Sequence, residues 1–449
     1  MDYYSSYKDS GVEWIQKIPL SWNKSRIRMV GKLYGGLTGK KGNDFNNDDS
    51  PFNKPFVPFT NIFNNTYISK NHFQYVNIGE GENQNRVLKY DLFFLMSSES
   101  YEDLGKCSIL LEDIEELYLN SFCKGYRIKD KRVNPLFLNY QLLGSLHKEM
   151  ISIEGNGFTR INLRQDRLLD IPVFIPPLNE QTQIVSFLDT KTQKIDELIE
   201  KTEQKIKLLK EKRTSLINHC VTKGLNPDVE MKDSGVEWIR EIPKDWLVSK
   251  IMFITNKVTD GSHHSPETED EGKLYVTVSN VTKGNDIDFN SCSKISEDSF
   301  SDLEKNGCKP EKGDVLITKD GTIGRGLVVS GFNDYVILSS IGLIRFQEKI
   351  NPYYGLYYLL SGLNIDQMYS HVRGSGITRL TINLIKNLLF ILPSETEQNQ
   401  IVEYLDEQTQ KIDFTIKKET QRIELLKEYR QSLISEVVTG KVDVRDWNG

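Results

Sequence analysis

Two short loops in this chain carry the residue types that grip phosphate. Gly155-Asn156-Gly157-Phe158-Thr159-Arg160 recurs as Gly374-Ser375-Gly376-Ile377-Thr378-Arg379. Paired glycines let a backbone turn with positive φ or approach another surface closely. The Thr and Arg that follow can donate to phosphate oxygens. A structural turn with the arginine in an ion pair is the alternative reading. Neither loop is a dinucleotide fingerprint, because the third glycine and a suitably placed acidic ribose ligand are missing.

Other segments are weaker. Asp260-Gly261-Ser262-His263-His264 has two possible metal ligands, but adjacent histidines on a strand cannot easily reach one ion, so a DNA-facing loop or an ordinary turn is expected. The run Asp314-Val315-Leu316-Ile317-Thr318-Lys319-Asp320-Gly321-Thr322-Ile323-Gly324 reads as a strand entering a tight polar turn. Its counterpart is Asp91-Leu92-Phe93-Phe94-Leu95-Met96-Ser97-Ser98-Glu99. Such turns can present Thr318, Lys319 and Thr322, or Ser97 and Ser98, to a groove; a plain hairpin turn is equally open. Gly39-Lys40-Lys41 lacks the hydroxyl and the earlier glycine of a phosphate-binding loop. No Ser/His/Asp or Cys/His spacing points to catalysis, and no metal or cofactor is expected in this chain.

The elements that must position these residues come twice. Lys8-Asp9-Ser10-Gly11-Val12-Glu13-Trp14-Ile15 returns unchanged at Lys232 to Ile239, and Glu180-Gln181-Thr182-Gln183-Ile184-Val185 returns as Glu397-Gln398-Asn399-Gln400-Ile401-Val402. Between the matches the halves hardly resemble each other. That reads as one scaffold presenting two different recognition surfaces.

Each half has a lead-in ending at Trp22 or Trp246, a mixed insert (about 24–176 and 248–393) and a long polar helix. Strands are expected at Phe56–Phe59, Leu92–Leu95, Val315–Ile317 and Val336–Leu338, where short β-branched and aromatic runs are bounded by Gly, Asn and Asp. Asn134-Pro135 and Asn351-Pro352 read as starts of helices reaching Leu146 and Leu363, with Asn as cap and Pro at the first turn. They only faintly resemble the Asn-Pro-Pro-Tyr/Phe loop of amino-methyltransferases: the second proline and a glycine-rich cofactor turn are absent.

The long helices are expected at about Asn179–Val221 and Glu395–Val438. Leu188, Ile195, Thr202, Leu209 and Leu216 stand seven apart, as do Leu405, Ile412, Glu419, Leu426 and Leu433. A seven-residue apolar seam in a Glu/Lys/Gln background predicts a coiled coil, about 60 Å long for some forty residues. Antiparallel packing with matched centres brings Thr202 and Glu419 together. The predicted domains are 1–177, 178–224, 225–393 and 394–449.

The chain has 449 residues and a net charge of −6. Residues 1–177 hold 22 basic and 21 acidic groups, whereas residues 225–392 hold 18 and 23. Nothing here matches the strongly basic balance of many nucleic-acid binders, so a DNA-binding face would have to gather its cations or borrow a partner's. The five cysteines form no CxxC pair, which suggests reduced thiols in a cytoplasmic protein. No apolar run approaches a membrane span, and Met1-Asp2-Tyr3-Tyr4 does not begin a signal peptide.

The repeated Lys-Asp-Ser-Gly-Val-Glu-Trp-Ile, the Ile-Pro-x-x-Trp that follows it, the Gly-x-Gly-x-Thr-Arg loops, Ile175-Pro176-Pro177-Leu178-Asn179-Glu180-Gln181 and the ending Val438-Thr439-Gly440-Lys441-Val442-Asp443-Val444-Arg445 together strongly resemble the DNA-specificity subunits of bacterial type I restriction-modification systems. The second copy departs at Leu392-Pro393-Ser394-Glu395, where the double proline is lost. The resemblance covers the whole chain. It implies an α+β protein with two β-rich target-recognition domains joined by two long antiparallel coiled-coil helices in an internal pseudo-two-fold repeat. Each domain would read half of a split, asymmetric site in double-stranded DNA. The helices would set the spacing and dock two methyltransferase (modification) subunits, with restriction (motor-nuclease) subunits joining. AdoMet, ATP and Mg would sit on those partners. Candidate DNA contacts are Lys40, Lys41, Thr60, Asn61, Ser97, Ser98, Thr159 and Arg160 in the first half. In the second they are Ser262, His263, His264, Thr318, Lys319, Thr322, Arg325, Thr378 and Arg379. The rival of a different class is a coiled-coil adaptor with two protein-binding heads, which the acidic balance favours; a self-sufficient methyltransferase would need cofactor motifs that the sequence lacks.

Overall fold

The computed structural model describes residues 3–45, 51–321, 323–331, 334–370 and 379–447. The chain divides into two compact units, Met1–Thr202 with Gln421–Gly449, and Glu203–Thr420. The division falls inside both long helices, Leu178–Lys223 and Glu395–Val438. Each unit therefore owns a stretch of both.

In the first unit a hairpin pairs Tyr7–Asp9 with Lys17–Pro19, and strand Asn23–Arg26 pairs antiparallel with Pro172–Ile175. Above them lies a four-stranded antiparallel sheet in the order Gly31–Gly35, Cys123–Ile128, Leu92–Leu95, Cys107–Ile109. The second unit repeats each feature. Its hairpin is Met231–Asp233 with Glu241–Pro243, and Leu247–Lys250 pairs with Leu389–Leu392. Its four-stranded sheet runs Thr255–Asp260, Ile341–Phe346, Val315–Thr318, Gly326–Val328. Strand order is thus duplicated although the sequences between the repeated segments have diverged.

The principal hydrogen bonds of the joints are duplicated. Trp22 and Trp246 are buried. Their indole Nε1–H groups donate to Glu180 Oε1 at 2.6 Å and Glu397 Oε1 at 3.0 Å. Gln181 accepts from the Asn134 backbone N–H at 2.7 Å, and Gln398 from that of Asn351 at 2.8 Å. Tyr140 donates to Asp189 and Tyr357 to Asp406, each at 2.6 Å. In both units a long-helix residue locks the cap of the Asn-Pro helix, so the repeated Glu-Gln segment is a buried hydrogen-bonding joint.

The core of the first unit packs Trp22, Phe137 and Phe174 against Ile184, Leu188 and Ile195 of one long helix and Leu433 and Val437 of the other. The second unit repeats this with Trp246, Tyr354 and Phe390 against Ile217, Val221, Ile401 and Leu405. Each fully buried side chain of this size contributes roughly 1.5–3 kcal/mol of transfer free energy.

Within the first unit, Asp196 meets Arg430 at 2.8 Å. Within the second, Lys205 meets Glu419 at 2.6 Å and Arg213 meets Asp413 at 3.0 Å. Rising numbers on one helix face falling numbers on the other, so the pair is antiparallel. Leu188, Ile195, Thr202, Leu405, Ile412 and Leu433 are buried; Leu209, Leu216, Glu419 and Leu426 are half-buried. In the first unit the Thr202 hydroxyl donates to its own helix at Leu198 O, 2.7 Å, and in the second Glu419 takes Lys205.

Three element boundaries also differ. The strand at residue 56 runs Asn53–Val57, and Pro58 caps the helix Phe59–Asn64, because proline fixes φ and cannot donate to the ladder. The helix opened by Asn134 stops at Leu143; Gly144 adopts an extended backbone (φ −62°, ψ 144°) and a second helix, Ser145–Ile153, begins. Likewise Pro352–Leu359 ends before Leu363 and Gly362–Ser370 restarts, with the Ser361 hydroxyl accepting from the Asn364 N–H. In both places Asn caps the first helix, accepting from two backbone N–H groups.

Among the described residues no helix is long and apolar enough to cross a membrane, and no cluster of His, Cys, Asp and Glu is arranged to hold a metal ion.

Candidate nucleic-acid interface

The first unit builds its loop face on a small antiparallel sheet. Ser97–Ser98 pairs with Ile161–Leu163, which pairs in turn with Gly155–Asn156. Gly157 closes the hairpin at φ +136°, and a Cβ there would stand 2.2 Å from the Arg160 carbonyl oxygen. Only glycine fits. The tip therefore points outward: Phe158 is 104% exposed, and Thr159 and Arg160 are exposed beside it. Arg160 Nη2 donates to Ser97 Oγ at 3.1 Å, and its guanidinium lies 5.5 Å from the Phe122 ring centroid. Ser97 and Ser98 are themselves buried.

The remaining candidates of this half stand elsewhere. Lys40 pairs with Glu82 at 2.6 Å; Lys41 is exposed, and its backbone N–H donates to Asp44 at 2.8 Å. Thr60 is exposed in the first turn of its helix. Asn61 is buried, 1% exposed, and its side chain donates to Ser69 O at 2.8 Å while accepting from Ser69 N and Asn65 Nδ2. As a DNA contact Asn61 is corrected: its amide closes a loop, and freeing it would leave buried polar groups unpaired.

The second unit gathers its candidates into a charge cluster. Lys319 is 1% exposed, with Nζ 3.3 Å from Asp260 and 3.5 Å from Asp320. Arg379 Nε lies 3.3 Å from Asp320, and His263 Nε2 lies 3.1 Å from Asp260. Sequence-distant residues 260, 263, 319, 320 and 379 thus share one site. Gly261 makes it possible: a Cβ there would stand 1.9 Å from the Ile337 carbonyl oxygen. Ser262 is buried and exchanges hydrogen bonds with the His264 backbone; His264 is exposed. Thr318 is buried against the Arg325 backbone, and Arg325 Nη1 donates to Val281 O at 3.0 Å.

Lys319 and Thr318 as groove contacts are therefore corrected. A buried ammonium needs paired carboxylates, and Asp260 and Asp320 hold Lys319 inside the head. Thr322 and Thr378, with most of the second Gly-x-Gly loop, lie outside the described residues.

Sequence reasoning missed the Phe122 ring beside Arg160 and the Tyr101 hydroxyl on the Gly157 carbonyl. It also missed Asp260 as the hub of the second cluster. The available signal was Phe158 itself, an apolar residue at the tip of a Gly-rich polar turn. Asp91 and Asp314, the first residues of the motif strands, are buried acceptors: each takes a two-pronged arginine, Arg127 at 2.9 and 2.6 Å and Arg345 at 2.7 and 2.9 Å.

The family model described as type I restriction modification DNA specificity domain matches residues 19–208 and 243–425. The type I restriction enzyme EcoBI specificity subunit of Escherichia coli is 26% identical over 343 residues, covering 73% of this chain and 70% of that protein. The EcoKI specificity subunit of Escherichia coli (strain K12) is 23% identical over 439 residues, covering 95% and 90%. Among solved structures, a chain from work on the complex assembly and conformational transition of the type I R-M system superposes with a TM-score of 0.69 at 15% identity, covering 95% of this chain and 99% of that one.

Proposed function

We propose, for a chain that belongs to the type I restriction-modification DNA specificity family, that each head reads one half of a bipartite, asymmetric site in double-stranded DNA. The chain is a non-catalytic specificity subunit. The observation that carries the reading is duplication with divergence: one sheet order and one set of buried joints recur in both units, under two unlike loop faces. A protein that had to read one symmetric site would gain nothing from different faces.

In this reading the long helices act as the spacer between half-sites and as the docking surface for two methyltransferase subunits, with restriction subunits completing the assembly. AdoMet belongs to the methyltransferase, and ATP and Mg to the motor-nuclease. Arg160 and Arg379 lie in the repeated frame, so a contact they share is assigned to phosphate, which carries no sequence information, and not to base edges. The exposed Lys41, Thr60, His263 and His264 differ between halves and are candidates for sequence-dependent contacts.

Methylome sequencing of cells expressing this chain with its partner subunits tests the reading. A two-part asymmetric motif is expected. Replacing residues 24–154 by the insert of a related subunit should change one half of the motif only. Unmethylated DNA, with the complex assembled but silent on every duplex, would favour the protein-adaptor alternative instead.

A further inference from the structure

Among the described residues Phe158 stands apart from every other aromatic residue in being wholly exposed. Leaving such a ring in water forgoes roughly 1.5–3 kcal/mol of transfer free energy. Its loop is nonetheless held in place. The flanking strands pair with each other and one of them, Ile161–Leu163, with Ser97–Ser98; Gly157 takes a conformation that other residues resist, and the Tyr101 hydroxyl donates to the Gly157 carbonyl at 3.5 Å. The aromatic ring is therefore presented on a hairpin whose base is fixed. Next to it are the half-exposed Tyr101, the 61% exposed Phe122, and the exposed Arg160 guanidinium, whose partners are a serine hydroxyl and an aromatic ring.

A partner for this tip must offer a flat apolar slot directly beside a negative charge. A base step with its flanking phosphate has that chemistry: apolar side chains enter between bases, unstack them and kink the duplex, and arginine reaches the phosphate. We propose that Phe158 is a wedge that enters the base stack of duplex DNA at the first half-site, with Arg160 on the neighbouring phosphate. This rests on the DNA-reading function above and adds a mode of reading: the step that Phe158 opens is selected by how easily it unstacks.

The test uses the complex of this chain with its methyltransferase subunits and duplexes carrying the motif found by methylome sequencing. 2-Aminopurine replaces adenine, one position at a time, at the first half-site and its flanks, but never at the methylated base. A fluorescence rise on binding is expected at one step, lost in Phe158→Ala and kept in Phe158→Trp. Phe158→Ala should also weaken binding about 10-fold, as expected for loss of one aromatic–base stack. Tight wild-type binding with no fluorescence rise at any step overturns the wedge while leaving the DNA-reading function intact. So does a rise that Phe158→Ala retains. A Phe158→Ala complex that binds DNA normally but loses its methyltransferase subunits would show that the ring is seated in protein instead. A wild-type complex that does not bind the duplex removes the underlying reading, and the wedge with it.

Discussion

Arg160 in the first unit leans on a serine and an aromatic ring, whereas Arg379 in the second leans on Asp320, itself paired with Lys319, which Asp260 also holds. The two arginines occupy the same place in a repeated motif. One belongs to an aromatic face and the other to a charged cluster, so the residue is a fixture of the frame and its surroundings carry the difference. The segment charges follow the same division, near balance in residues 1–177 and acidic in residues 225–392. Where the units must do the same job, as at Trp22 and Trp246, the chemistry is copied; where they face outward it is not.

The largest expected effect breaks the buried strand-start pairs. Asp91 accepts from Arg127, from the Tyr34 hydroxyl at 2.6 Å and from the Leu88 N–H at 2.8 Å. Burial and Asp91 together push the Tyr34 hydroxyl far above its ordinary range, so it remains a donor. Asp314 lacks a tyrosine partner and accepts from Arg345 and the Glu311 N–H. Asp91→Ala should destabilise its unit by about 3–4 kcal/mol, toward the lower end for a buried pair because the arginine is partly exposed. Asp314→Ala should cost less. Hydrogen exchange resolved by unit measures both, and equal losses would remove Tyr34 from the account.

A pH difference between units should come next. His147 is fully buried, and burial pulls its imidazole down to about 4; Nε2 lies 3.2 Å from the Pro172 carbonyl oxygen. At the matching helix position the second unit has the buried Asn364, which does not titrate. Because the folded value lies below the ordinary ~6.5 of histidine, the unfolded chain takes up a proton first as pH falls. The stabilisation is complete above pH ~6.5 and is lost progressively toward pH 4, about 3 kcal/mol in all. Exchange in the first unit should accelerate over that window. His147→Asn should flatten the dependence; an unchanged slope would assign it to other groups.

Gln181→Ala and Gln398→Ala probe the duplicated joint. Gln181 donates to Arg132 O and Pro176 O, both at 2.8 Å, whereas Gln398 makes the corresponding bonds to Lys349 O and Pro393 O at 3.3 and 3.1 Å. Each loss should cost about 2 kcal/mol, since a buried backbone N–H is left unpaired. The first should exceed the second. Chemical denaturation followed at Trp22 and Trp246 would check the order.

The smallest effect concerns the repeated arginines. Arg160→Ala and Arg379→Ala should each weaken cognate and non-cognate DNA alike and lower the salt slope by about 1. Arg379→Ala should do so less, because Asp320 already occupies its guanidinium. Titrations over a salt series decide this, and normal affinity with a new sequence preference would reverse the assignment to phosphate.

Much of this architecture was legible because it is local or periodic. The eight-residue repeat, the Asn-Pro caps at Asn134 and Asn351 and the proline-free, seven-residue seams announce a duplicated frame with two long helices. Glu395–Val438 matches the expected helix to the residue. What escaped depends on residues far apart in sequence. Within the second unit the helix register is set by ion pairs such as Arg213–Asp413, between residues two hundred positions apart. Lys319 looked available because an isolated turn exposes its lysine, but Asp260, some sixty residues earlier, buries it. Phe158 looked like part of a phosphate-binding turn; the surrounding strands decided that its ring would stand in solvent, two residues from an Arg160 that lies over Phe122. The sequence by itself determined the repeat, the caps and the helix spans, since these depend on neighbours within a few turns. Tertiary structure alone decided which polar residues became joints and which remained free to meet a partner, because burial and charge pairing are settled only when distant strands close over them.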